Sequence, residues 1–187
     1  RPGCLVYAFG TQSNDEFVKF HAAQGCHVYA FDPTVRHPLR WLPNVTFHSW
    51  GLATADSEED EAATVVGYGK VTGRLYTLPQ IFAMLGHDRP EVTISAMKLD
   101  CEGCEYAAFR DLYCMGEAAQ PAILSLSVEF HFRVEQRMAT AADVERIRYA
   151  GLFLRRQHSY ASFQFDRHMG ILVNYRGGPA YVHPELV

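Results

Sequence analysis

The chain has 187 residues, 48% hydrophobic and 20% charged, enough apolar material for the core of one globular domain spanning 1–187. Its formal net charge of −4 gives no general attraction to nucleic acid or anionic lipid, so no nucleic-acid partner is expected. No apolar run approaches the roughly 20 residues that cross a bilayer, so no transmembrane segment is expected, and no signal peptide is visible.

The chain opens Arg1-Pro2-Gly3, without Met, and enters an apolar run by Cys4. It reads as a fragment or processed form of a longer chain, from which any targeting segment is missing. The compartment stays open, secretory or organellar destinations included. CLVYAFG (4–10) is short, apolar and closed by Gly10, which reads as a buried strand. In TQSNDEFVKFHAAQG, Ser13 and Glu16 have capping-box spacing, and Phe17, Phe20 and His21 recur at helical intervals. A helix is expected from about Asn14 to Gln24, stopped by Gly25. HVYAFDP (27–33) is a second strand ending at an acid, which completes a βαβ unit.

NVTFHSW (44–50) is a third strand, followed by Gly51. Residues 54–74 are polar and Gly-rich, and their acidic run DSEEDE reads as a solvated loop ahead of a cation-binding one. GRLYT (73–77) is a candidate extra strand, and LPQIFAMLGH (78–87) a short helix stopped by Gly86. VTISAMKLD (92–100) is a fourth core strand, EYAAFRDLYCM (105–115) a helix ended by Gly116, and AILSLSVEF (122–130) a fifth strand. Thr140 and Asp143 cap a helix over about 141–150. LFLRRQHSY (152–160) and MGILVNY (169–175) read as an antiparallel pair at the sheet edge. HSYASFQFDRH (158–168) reads as an ordinary edge hairpin before the lining of a substrate mouth.

Alternating strands and helices predict an α/β fold. It is Rossmann-like and doubly wound, with a mostly parallel seven-stranded sheet and an antiparallel edge pair. Such folds bind ligands at the carboxyl ends of their strands, which selects Gly10, Asp32, Gly51, Asp100 with Glu102, and Glu129 with His131. Asp32 lies 22 positions past Gly10, placed to accept both ribose hydroxyls of a nucleoside; the plainer alternative is an acid capping a nearby turn. The loop after Gly10 has one glycine, so it lacks both the dinucleotide fingerprint and the P-loop, and Asp15 and Glu16 would repel phosphates. A polar loop with carboxylates nearby suits a cationic ligand with an amino-acid tail, such as S-adenosylmethionine.

The densest stretch is MKLDCEGCEY (97–106), with Asp100, Cys101, Glu102 and Cys104 around Gly103. Structural zinc wants four ligands, and a lone C-x-x-C offers two. A redox pair is possible at a helix start, although Glu102 and Glu105 flank Cys104. The rim of a catalytic pocket is the reading preferred, with Asp100 beside the cofactor and Glu102 over the sheet edge. His131 is the best single base by its ordinary pKa, with a carboxylate-bonded buried histidine as the alternative. Glu129 would orient His131 or bind substrate. Asp100, Glu102, Glu129 and His131 would also tolerate Mg²⁺, Mn²⁺ or Ca²⁺, but no metal is required by their spacing. The five cysteines, Cys4, Cys26, Cys101, Cys104 and Cys114, are scattered and odd in number; they read as mostly reduced, buried thiols with room for a single bridge.

Six blocks resemble, in order, those of FkbM-type methyltransferases: FGTQSNDEFVKF, GCHVYAFDPT, NVTFHSWGLA, LYTLPQIFAMLGH, MKLDCEGCEYAAF and LSVEFHF. They are closest to the eukaryotic branch that includes methyltransferase-like protein twenty-four. AFDP and KLDCEGCEY are the most specific blocks, the family typically reading K-[IL]-D-x-E-G-x-E. The resemblance implies a class I methyltransferase fold that binds S-adenosylmethionine and methylates an oxygen of a small-molecule or sugar-like acceptor. Gly10, Thr11, Ser13, Gly51 and Asp100 would lie against the cofactor with Asp32 on its ribose. Asp100, Glu102, Glu129 and His131 would face the reaction. Many methyltransferases carry a glycine-rich loop that is reduced here to one glycine. A fold without turnover, serving as a scaffold or binding subunit with protein partners, is the rival expectation.

Overall fold

The structure, a computed structural model, describes residues 3–12, 15–35, 42–53, 73–101, 103–116, 119–130, 148–149, 152, 160–165 and 170–175. In chain order the described elements are β1 (Leu5–Phe9), α1 (Glu16–Ala23), β2 (His27–Phe31), β3 (Val45–His48), β4 (Trp50–Leu52), β5 (Arg74–Tyr76), α2 (Leu78–Leu85), β6 (Thr93–Leu99), α3 (Glu105–Met115), β7 (Ala122–Ile123), β8 (Ser125–Phe130), β9 (Tyr160–Phe165) and β10 (Gly170–Tyr175).

The main sheet runs β3-β2-β1-β6-β8-β10-β9, with β7 paired to β6. β1, β2, β3, β6, β7 and β8 are parallel, and β10 pairs antiparallel with both β8 and β9. The α/β class with a mostly parallel sheet is therefore observed. β7 and β8 keep one register against β6 (Ile94↔Ile123, Met97↔Leu126), so together they occupy the place expected for the strand over 122–130.

Strands covered on both faces must be apolar on both. One face carries Tyr7, Phe9, Phe31, Met97, Leu99, Leu126 and Val128 under Leu78, Ile81 and Phe82 of α2 and Phe109 and Leu112 of α3. The other carries Val6, Ala8, Val28, Ala30 and Ala96 under Phe17, Val18 and Ala22 of α1. The small alanines let α1 lie close to the sheet, while the aromatic face gives α2 and α3 broad rings to cover.

α2 begins in a full capping box, Thr77 with Gln80, and ends at Gly86 in the left-handed conformation (φ 71°). α3 spans the expected residues. α1 is shorter than expected, and its N-cap is Asp15, whose carboxylate accepts from the Val18 N–H at 3.0 Å, in place of Ser13. The third strand stops at His48. The Ser49 carbonyl accepts from the Arg74 N–H at 3.1 Å, which diverts the chain into the small parallel β4-β5 sheet. The edge strand expected over 152–160 falls mostly outside the described residues; the stretch that pairs with β10 is Tyr160–Phe165. The helix expected over 141–150 falls mostly outside the described residues.

Two disulfides correct the expectation of mostly reduced thiols. Cys4–Cys26 ties the starts of β1 and β2, where the register Leu5↔His27 brings the preceding residues to a Cα separation of 4.6 Å. Cys101–Cys104 closes the turn between β6 and α3. Cys114 is free and exposed.

His21 of α1 packs on Phe17 with ring centroids 4.5 Å apart, and burial pulls its pKa down from 6.5 to about 4. The folded chain thus holds this imidazole neutral where the unfolded chain protonates it. Stability should fall as pH drops from 6.5 toward 4. With solvent screening at this partly exposed ring, the loss should be about 1 kcal/mol. Thermal unfolding at the two ends of that window should show a smaller acid loss in His21→Leu than in the parent; an unchanged difference would show that other groups set the acid limb.

Candidate functional site at the strand tips

In-register pairing aligns His48, Phe31, Phe9, Leu99 and Val128 in one row across five parallel strands. One residue further along each strand come Ser49, Asp32, Gly10, Asp100 and Glu129. Side chains alternate along a strand, so Asp32 and Asp100 follow the parity of Ala30 and Lys98, on the α1 side of the sheet. The register thus brings together four of the residues expected at the site: Gly10, Asp32, Asp100 and Glu129.

Gly10 turns the chain off β1 at φ 76°, and its N–H donates to the Phe31 carbonyl at 2.9 Å. A Cβ here would collide with the backbone carbonyl of Asp100, so the two tips touch through main chain. Thr11 is 1% exposed, and its Oγ1 has no hydrogen-bond partner among the described residues. Gln12 has a left-handed φ of 48°, which aims its N–H at Asp32 Oδ2, 2.8 Å away.

Asp32 is 4% exposed. Its Oδ1 accepts from the Thr34 N–H at 2.8 Å and the Thr34 hydroxyl at 2.6 Å, and its N–H donates to the His48 carbonyl at 3.2 Å. The carboxylate therefore serves three protein donors, which leaves about one of its four lone-pair sites for a ligand. His48 stacks on Trp50 with centroids 4.0 Å apart and on Phe31 at 5.6 Å, on the face of the sheet that α2 and α3 cover. Burial lowers the His48 pKa, and its buried Nε2 has no partner among the described residues.

Lys98 is the residue that the sequence reading passed over. Its ammonium lies 2.7 Å from Asp15 Oδ2 and 3.0 Å from Asp100 Oδ2, which joins the start of α1 to the tip of β6. Burial pulls the Lys98 pKa down, but attraction to Asp15 and Asp100 outweighs it, and the net shift is upward. The signal was present in K-L-D, because residues two apart on a strand share a face. Gln12 and Thr34, which hold Asp32, were also missed; nothing in their spacing marks them.

Beyond Asp100, the Cys101 N–H donates to Glu105 Oε1 at 2.8 Å, and Glu105 is fully buried at the head of α3. Gly51 lies in β4, where Pro33 and Leu75 fill the space a side chain would take. Ser13, Glu102 and His131 lie outside the described residues. Among the described residues, no group of three or more His, Cys, Asp or Glu is placed to hold a metal ion. Among them, too, no helix is long and apolar enough to cross a membrane.

Acids ranged around a glycine turn at the carboxyl ends of parallel strands belong to an α/β architecture of the kind that binds ligands at those ends. A family model described as a methyltransferase domain matches residues 1–172, and the chain belongs to that family. No curated protein and no solved structure matches it.

Proposed function

We infer that this methyltransferase domain binds S-adenosylmethionine at the tips of β1, β2 and β6, and transfers its methyl group to an oxygen of a small-molecule or sugar-like acceptor. The observation that carries the reading is the aligned row Asp32, Gly10, Asp100 and Glu129. With Asp15, these tips gather carboxylates from β2, β6, β8 and the start of α1, a setting that suits a cationic ligand. The buried Thr11 hydroxyl, without a hydrogen-bond partner among the described residues, fits a polar ligand tail at the loop that follows Gly10. The fold is read as the class I methyltransferase fold, and the FkbM resemblance supplies the choice of oxygen.

The cofactor supplies an electrophilic methyl on a sulfonium. The chain's part is to hold donor and acceptor in line and take the acceptor's proton. Asp32 would accept one ribose hydroxyl at its remaining lone pair. Asp100 and Glu129 stand where a carboxylate can orient an acceptor hydroxyl, and His131 is the proposed base. Two bridges among five cysteines support maturation in an oxidising compartment.

The prior engagement of Asp32 by Gln12 and Thr34 favours a second reading, a methyltransferase fold kept as a binding subunit without turnover. Calorimetry separates the two. S-adenosylhomocysteine should bind the parent protein, and Asp32→Asn should weaken it by more than about 1 kcal/mol while the protein stays folded. Absence of heat at millimolar ligand would leave only the second reading; equal affinity in the variant would remove Asp32 from the site.

A further inference from the structure

The Cys101–Cys104 bridge has no role in the cofactor binding or methyl transfer inferred above, yet it sits against the part of the molecule that does. Cys101 follows Asp100, and Cys104 is the residue that precedes the eleven-residue helix α3. Both cysteines are half-buried; of the other bridge, Cys4 is likewise half-buried, but Cys26 is 5% exposed. The four-residue turn passes through Gly103 at φ 108°, with the bridged Cα atoms 5.4 Å apart. The Asp100 carbonyl on which Gly10 closes is one peptide unit from Cys101. Any change in this turn therefore reaches the β1 loop through main-chain contact. Cys4–Cys26 lies at the opposite ends of the strands and serves as an internal control.

We propose that Cys101–Cys104 is a thiol–disulfide exchange site for a dithiol reductant, and that its reduction loosens the strand tips and weakens cofactor binding. A thiolate of the dithiol attacks Cys101 Sγ, and the S–S bond breaks with its electron pair leaving on Cys104 Sγ. The α3 N-terminus favours that leaving thiolate. The second thiol of the reductant then attacks its own sulfur in the mixed disulfide and releases Cys101. Two protons pass from the dithiol to the two cysteines; the reductant ends as its disulfide, and two electrons have moved. Without the bridge, Glu105 alone holds the Cys101 N–H, and the turn regains freedom next to Gly10. The cofactor half of this proposal rests on the function inferred above; the exchange half does not.

The test uses the oxidised protein with the exposed Cys114 first blocked by iodoacetamide. Graded dithiothreitol, followed by alkylation of released thiols and peptide mass spectrometry, should open Cys101–Cys104 before Cys4–Cys26. The form reduced at 101–104 alone should bind S-adenosylhomocysteine about fivefold or more weakly, and reoxidation should restore the affinity. The double variant Cys101→Ser, Cys104→Ser should match the reduced form, while Cys4→Ser, Cys26→Ser should keep the parent affinity. Simultaneous opening of the two bridges, or Cys4–Cys26 first, would overturn the exchange site. Equal affinity in both redox forms would overturn the coupling. If neither form binds the ligand, the inferred function fails, and amide hydrogen exchange at residues 8–12 then decides the coupling: faster exchange on reduction upholds it, and unchanged exchange ends it.

Discussion

Gly10→Ala should be strongly damaging, costing about 2–5 kcal/mol of stability. Two separate penalties add. A side chain at φ 76° adopts the left-handed region, which costs an L-residue about 1–2 kcal/mol. The new methyl also collides with the Asp100 carbonyl, and relieving that overlap by moving backbone costs about 1–3 kcal/mol. Gly25 isolates the first term, because it has φ 83° and nothing within 4 Å of where a Cβ would stand. Gly25→Ala should therefore lose only about 1–2 kcal/mol. For a chain of this length each kcal/mol lowers the melting temperature by about 2–4 °C, so scanning calorimetry resolves the pair. Binding of S-adenosylhomocysteine should vanish in the first variant and persist in the second. Equal melting temperatures for the two would mean that β1 and β6 do not meet at this carbonyl.

That contact also shows what could be read from the sequence and what could not. Strand cores, the bounds of α3 and the stop of α2 at Gly86 were legible because they rest on local periodicity and local turn chemistry. The row of acids was legible for a different reason. Strands that end on an apolar-to-acid step, placed in a parallel sheet, put their acids at one end whatever the details of packing. Legibility failed wherever a partner from another element decides the matter. Asp15 displaces Ser13 as the cap of α1, and its other oxygen is held by Lys98 from β6, a residue 83 positions away. Cys4 and Cys26 pair because β1 and β2 run in register, a fact that Cys spacing does not carry. The chain leaves the main sheet after His48 because Arg74 claims the Ser49 carbonyl. The position of Asp32 at the tip of β2 was legible, but its three donors come from loop residues that show no pattern.

Lys98→Met carries the second large effect, and it tests the electrostatic reading of the same tips. The substitution keeps most of the stem and deletes the ammonium, leaving Asp15 and Asp100, with side chains 6% and 25% exposed, to face each other without their shared cation. Removing one partner from a buried ionic group costs about 3–5 kcal/mol, because the charges left behind stay desolvated. A matched control exists on α1. Lys19 and Glu16 form a pair at the same 2.7 Å, but their side chains are 38% and 64% exposed, so Lys19→Met should cost less than about 1 kcal/mol. Equal distances with unequal losses would show that burial, not geometry, sets the value. The contribution of Lys98 is fully present below its ordinary pKa of 10.5 and is lost only as pH climbs through its raised folded value, so parent and variant should converge in strong alkali. Lys98→Met with Asp15→Asn should cost less than the sum of the single changes, since removing the cation and one of its two anions together leaves fewer unpaired charges. If Lys98→Met matches Lys19→Met instead, the tips of β1 and β6 are more open to water than their burial implies. The carboxylates at these tips would then exert little pull on a cationic ligand.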